Sequence, residues 1–240
     1  MPAVFVHGVP DTPAIWKPLL GHLARRDVIM LALPGFGNKR PAGFVPTKES
    51  YVQWLMEQLE RISEPVDLVG HDWGALLCTR VVSLKPQLVR SWSVGAAPLH
   101  PDYVWHDTAK VWQTPGKGEE FMAFFGGEPM VQALMSQGLP QEAARETVSH
   151  IDDEMKTCIL ALYRSAVNAA QEWYPDLKRI AAPGLITWGE SDSFAEAKFG
   201  ERLARDTGAK FVLMNGCGHW YPAQDPAGMA QVLEQHWKRV

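Results

Sequence analysis

Short apolar runs rich in Val, Leu and Ile recur along the chain, and each leads into a loop and a longer stretch with helical spacing. The runs at Ala3–Val6, Val28–Leu33, Val66–Val69, Arg90–Val94, Leu185–Trp188 and Lys210–Met214 predict strands. They are nearly continuous in apolar residues rather than alternating, as strands buried on both faces are. Between them the spacing predicts helices over Ile15–Ala24, Lys48–Ile62, Gly74–Leu84, Phe194–Thr207 and Pro226–Trp237. Thr47 or Ser50 stands where a cap for the second is needed. Strands alternating with helices predict an α/β fold whose parallel sheet is covered on both faces.

One span breaks the rhythm. From about His100 to Ile180 there is no convincing strand; "GEEFMAFF", "MVQALMSQ", "PQEAARETVSHI" and "MKTCILALYRSAVNAAQEW" read as helices, separated by "TPGKG", "GGEP" and "GLP". A helical block between two strands of a parallel sheet sits over the carboxyl edge of the sheet, where such folds bind ligands. The expected division is a core of residues 1–99 and 181–240 with a helical cap at 100–180; a separate helical domain is the alternative.

Composition narrows the class of protein. A chain of 240 residues is long enough for one core with an insertion. The formal net charge of −4 and the lack of a Lys/Arg tract give nucleic acid or an anionic membrane nothing to hold. The opening "MPAVFVHGVP" has no basic region followed by a long apolar run, so no secretory signal is expected, and no stretch is apolar enough to cross a bilayer. Cys78, Cys158 and Cys217 are far apart and without ligand spacing, which fits reduced thiols in a cytoplasmic protein. Ten tryptophans are more than a core of this size needs, so some are expected to line an apolar pocket.

The chemistry centres on "VDLVGHDWGALLC" (Val66–Cys78). A Gly-x-nucleophile-x-Gly turn after a buried strand holds its central side chain on a tight bend at the top of the sheet. Gly70 and Gly74 flank Asp72 in that pattern, where a serine is common; the plainer alternative is a helix-capping aspartate. Two further motifs favour the catalytic reading. "GCGHWYPAQDP" puts His219 in a Gly-rich loop after the last strand, and "LITWGESDS" puts Asp192 just past the strand before it, with Glu190 as its rival. The order nucleophile, acid, histidine is that of the α/β-hydrolases, with Asp192 orienting His219 as general base. In "VFVHGVPDTPAIW" the bend after the first strand can present the backbone N–H of Val9 beside that of Trp73 as an oxyanion hole, while the His7 side chain serves only the loop.

Taken together, HGVP, GHDWG, GESD and GHW in this order around a helical insertion resemble the epoxide hydrolases and haloalkane dehalogenases of the α/β-hydrolase fold; "LPGFG" (Leu33–Gly37) resembles a loop of that family too. The resemblance spans nearly the whole chain. Members usually begin with two more strands, so about six strands are expected here, leaving Val28–Leu33 as an edge. An open edge invites pairing, and a homodimer or a covering segment is expected there.

A carboxylate is suited to displacement at an sp³ carbon, forming an alkyl ester that water then hydrolyses with His219 as base. In the epoxide hydrolases two cap tyrosines commonly protonate the leaving alkoxide. The second lies in a Tyr-Arg pair, matched here by Tyr163-Arg164. The first precedes a stretch resembled by Trp112-Gln113-Thr114-Pro115-Gly116, but its position holds Thr108, leaving His106 or, from further off, Tyr103 as the donor. The residues expected on the pocket wall are Trp73, Trp105, Trp112 and Phe36. A dehalogenase would use a cap indole, Trp105 or Trp112, as halide donor; Val9 stands where that family usually carries a donor side chain. The expected function is therefore hydrolysis of a small apolar epoxide to a diol, without cofactor or metal. Dehalogenation is the alternative, and a non-catalytic ligand-binding homologue the second. With no GxSxG in the chain, a serine esterase is set aside.

Overall fold

A computed structural model describes residues 1–240. Six strands, β1 (Ala3–Val6), β2 (Val28–Leu31), β3 (Val66–His71), β4 (Val89–Gly95), β5 (Gly184–Gly189) and β6 (Lys210–Met214), form one sheet in the order β2-β1-β3-β4-β5-β6. Every neighbouring pair is parallel. The fold is α/β with the strand count read from the sequence, and β2 and β6 are its edges.

Side chains leave β1 alternately to the two faces and join different cores. Val4 and Val6 face the cluster built with Tyr51, Leu55 and Leu59 of α2 (Lys48–Glu60), Leu77 and Val81 of α3 (Trp73–Leu84) and Leu203 of α10 (Ala197–Thr207). Ala3 and Phe5 face the other, with Trp16, Leu19 of α1 (Lys17–Leu20) and Leu233 of α12 (Pro226–Trp237). No helix is long and apolar enough to cross a membrane, and all three cysteines are buried and unpaired.

The departures from the expected elements are local and chemical. The edge strand ends at Leu31 because the Leu33 N–H turns away to donate to His7 Nε2 at 3.0 Å. The helix expected from Phe194 begins at Ala197, because Phe194 and Ala195 give their N–H groups to Asp192 Oδ1 at 2.9 and 3.1 Å. Residues 15–24 make a 3-10 turn (Pro13–Trp16) and the single helical turn of α1, ending at Gly21.

Between β4 and β5 every regular element is helical: α4 (Asp107–Gln113), α5 (Lys117–Ala123), α6 (Gly127–Ser136), α7 (Gln141–Ser149), α8 (Asp153–Ser165) and α9 (Ala169–Trp173), closed by a 3-10 segment. The run 155–173 is two helices, α8 ending before Ala166, where the backbone leaves helical geometry. Helix α4 is absent from the sequence reading. Its N-cap is His106, whose Nδ1 accepts the Ala109 N–H at 3.2 Å, instead of one of the usual Ser, Thr, Asp or Asn caps.

Candidate active site

Four loops at the carboxyl ends of β1, β3, β5 and β6 bring the candidate residues together. Asp72 closes β3 with φ 52° and ψ −125°, a left-handed backbone rare for a residue with a Cβ. The turn holds because its neighbours are glycines that allow close contact. A Cβ on Gly74 would lie 2.1 Å from the Val6 carbonyl oxygen, and one on Gly8 2.5 Å from the Asp72 side chain. Asp72 makes no capping bond to α3; the carboxylate projects away from the helix it precedes.

Asp72 Oδ1 accepts the Val9 N–H at 2.7 Å, so Oδ2 is the freer oxygen. His219 Nε2 lies 3.7 Å from that Oδ2, and His219 Nδ1 is 3.0 Å from Asp192 Oδ2. Asp192 is fixed in turn by the Phe194 and Ala195 amides. Glu190 is elsewhere, accepting the Gly216 N–H at 2.8 Å. His71 Nε2 meets the His219 carbonyl at 2.8 Å, and the two rings lie 4.9 Å apart. His7 serves its loop, bonded to Gly8 O at 2.8 Å and to the Leu33 amide.

The charges are strongly coupled. Burial raises the Asp72 carboxyl to about 6, against the opposing pull of the His219 cation and the Val9 and Trp73 amides. Burial alone would lower His219; Asp192, with which it is also hydrogen-bonded, Asp72 and Asp11 outweigh that and raise it to about 9. Asp192 sits below the usual carboxyl range: burial opposes its charge, but the His219 cation and bond and the two amides prevail. His71 is held neutral by burial, lowered to about 3. The resting site is therefore an ion pair between Asp72 and His219, with Asp192 behind it.

Above the triad lies a cavity of about 170 Å³. Asp72, His219 and Val9 form its floor; Trp112, Phe121, Phe125, Leu134 and Tyr163 of the helical insertion form its roof. No Lys or Arg lines it. Tyr163 is buried; burial, with the Asp72 charge, raises its hydroxyl well above the usual tyrosine value, against a hydrogen bond from the Trp73 indole. Its ring crosses those of Trp73 and Trp112 at 5.2 and 4.8 Å. His106 also lines the cavity, lowered to about 4 by burial. Because Nδ1 accepts from Ala109, the neutral ring carries its proton on Nε2. Tyr103 gives its hydroxyl to Phe194 O at 3.2 Å and stays off the main cavity.

The wall differs from the expected one in three places. Phe36 is fully buried in the core against His7 and Tyr51, because the "LPGFG" loop turns its aromatic ring inward. Trp73 and Trp105 stack at 6.1 Å and line a side pocket of about 20 Å³; Trp105 gives its N–H to Val167 O at 3.2 Å. Only Trp112 of the expected indoles lines the main cavity, with its Nε1 buried and unbonded. The sequence reading also missed Phe194 and Trp220, whose rings flank His219 at 4.8 and 5.0 Å; their adjacency to Asp192 and His219 was the available signal. No cluster of three or more His, Cys, Asp or Glu is placed to hold a metal ion.

This sheet order, with Asp72, Asp192 and His219 on the loops after the strands and a helical roof, is that of the α/β-hydrolase fold. A model of the alpha/beta hydrolase family matches residues 3–232, and the chain belongs to that family. It is 23% identical over 262 residues to epoxide hydrolase 2 of Caenorhabditis elegans, spanning 97% of this chain and 72% of that protein. A shorter match, 30% over 95 residues, to the (E)-2-((N-methylformamido)methylene)succinate hydrolase of Acinetobacter baylyi covers 39% of this chain and 36% of that one. Among solved structures, a haloalkane dehalogenase from Bradyrhizobium elkani shares the fold with a TM-score of 0.81 at 19% identity, covering 100% of this chain and 91% of the other. The protein is a hydrolase of this family.

Proposed function

We propose that the protein is an epoxide hydrolase that works through a covalent alkyl ester on Asp72, beneath a helical cap formed by the insertion. The observation that carries this reading is the Tyr163 hydroxyl on the wall of the same cavity as Asp72: its side-chain partner, the Trp73 indole, only donates to it, so its own proton stays available. Ring opening needs an acidic donor opposite the nucleophile, and a buried hydroxyl with its proton available supplies one.

In the first step Asp72 Oδ2 forms a bond to an epoxide carbon. The C–O bond breaks, its electron pair goes to the epoxide oxygen, and Tyr163 protonates it, with the His106 Nε2–H as second donor. Esterification removes the charge of Asp72, one of the forces holding the proton on His219. That proton restores Tyr163 and leaves His219 neutral, ready to act as base. His219 then takes a proton from water, the hydroxide adds to the ester carbon, and the negative charge gathers on Oδ1. Oδ1 already lies against the Val9 amide at 2.7 Å, with the Trp73 amide beside it. Collapse expels the diol, which takes the His219 proton. The Asp72 carboxylic acid passes its own proton to His219, and the ion pair returns.

One observation favours dehalogenation as the second reading: the unbonded Trp112 Nε1 in the same wall is a halide donor in waiting. Intact-protein mass separates the two. A His219→Gln variant incubated with small epoxides should gain the mass of one whole epoxide, mapped to the Asp72 peptide. Gain of an alkyl group with halide release from haloalkanes would favour the second reading, and no adduct from either panel would reject both.

A further inference from the structure

Two side chains with no place in that reaction tie the helical roof to the histidine loop. Asp11 follows the Val9–Pro10 bend directly and is 1% exposed. Its Oδ1 accepts the Thr147 hydroxyl of α7 at 3.1 Å, and its Oδ2 accepts the Trp220 indole N–H at 3.2 Å. Trp220 is the residue after His219. Gln224 makes a second tie from the same loop: its Oε1 accepts the Gly218 N–H at 2.7 Å, and its Nε2 donates to Gly138 O at 2.8 Å, in the turn between α6 and α7. The α6–α7 hairpin carries Met130, Ala133, Leu134 and Gln137 of the cavity wall. Elsewhere in the roof, α8 meets Trp73 and Trp105 through the Tyr163 ring, and α4 meets that ring through Trp112.

A buried carboxylate is an expensive way to join two neutral donors, since its charge is desolvated and only partly compensated. A neutral amide could bridge the same two groups, accepting from the Trp220 indole and donating to the Thr147 hydroxyl oxygen. When ionised, the carboxylate adds a negative charge that favours a proton on His219; burial raises the Asp11 carboxyl, against the pull of the His219 cation and the bonds from Trp220 and Thr147. Resting on the assignment of His219 as base, we propose that Asp11 is a positioning residue: it moors α7 to the histidine loop and stabilises the imidazolium of His219 through space. The groups facing His219 are then Asp192 on one ring nitrogen, Asp72 on the other, Asp11 behind Trp220, and the neutral rings of His71 and His106. When Asp72 is esterified, Asp192 and Asp11 are the charges that remain to favour proton uptake from water.

The test needs no substrate, so it stands apart from the question of which leaving group the enzyme handles. Amide hydrogen exchange over residues 141–149 and 217–224 and NMR titration of the His219 ring are compared in Asp11→Ala, Asp11→Asn and Thr147→Val. Asp11→Ala should speed exchange in both segments, roughly tenfold for loss of bonds to a charged acceptor. Thr147→Val should speed only 141–149. Asp11→Asn, which keeps an acceptor for Trp220 and offers its amide to Thr147, should restore protection in both. It should nevertheless leave the His219 midpoint below that of the parent protein, as Asp11→Ala does, because neither variant carries the charge. Unchanged exchange in Asp11→Ala would remove the mooring, and an unchanged His219 midpoint in Asp11→Asn would remove the electrostatic role. Should the alanine variant not fold, the Asn and Val variants decide both points.

Discussion

The floor of the cavity comes from loops at the ends of strands, where hydrogen bonds hold the polar side chains Asp72, His219 and Asp192. The roof comes from short helices whose aromatic rings meet edge to face, with Trp112 Nε1 left unbonded and the Tyr163 hydroxyl engaged only by an indole donor. A floor so fixed suits steps common to a whole family: attack, base catalysis and oxyanion stabilisation need the same distances whatever the leaving group is. A roof with spare donors decides which leaving group is accepted, and it can change by single substitutions without disturbing the floor.

The largest effect should follow from breaking the floor. On the proposed mechanism, Asp72→Asn keeps the turn but removes the attacking carboxylate, and turnover should fall by roughly 10⁴-fold or more in steady-state assays. Acidity does the same reversibly. Asp72 must be ionised to attack and is raised to about 6, so the rate of ester formation should be full above that pH and fall as pH drops through it, read by single-turnover kinetics. The roof should give smaller and selective changes. Tyr163→Phe should slow epoxide opening by roughly 10²-fold or more while sparing any halide release, and Trp112→Phe should show the reverse preference, in parallel assays on both substrate types. The smallest effect is expected at Phe36, which belongs to neither surface. Phe36→Leu should cost on the order of 1 kcal/mol of stability by denaturant unfolding and leave KM unchanged.

The same division explains what could be read in advance. Asp72, Asp192 and His219 stand in loops that follow apolar strands, and at Asp72 the close approach of Gly8 to its side chain and of Gly74 to the Val6 carbonyl requires glycines, so motif spacing made these three legible as candidates. The inner strands were equally visible, since burial on both faces leaves continuous apolar runs; the half-exposed edges β2 and β6 showed through their Val, Ile, Leu and Met content. The roof was legible only in part. Helix α4 was hidden because a histidine caps it, and Phe121 and Phe125 had no signal separating cavity wall from core, since a helix buries both with the same periodicity. Phe36 misled for a related reason: an aromatic residue in a Gly-rich loop near a site reads as pocket, but packing against His7 and Tyr51 sends it to the core. Asp11 was passed over because an aspartate after a proline bend looks like any turn residue until Trp220 and Thr147 close on it.

The central claim is that water attacks an ester of Asp72 rather than the substrate itself, and oxygen labelling reads this directly. With enzyme in excess over an epoxide substrate in ¹⁸O-water, one turnover should release diol free of label, because its new oxygen is Asp72 Oδ2. The Asp72 peptide should gain about 2 Da as the water oxygen takes its place. Diol carrying the label from the first turnover, with Asp72 unchanged, would contradict the account.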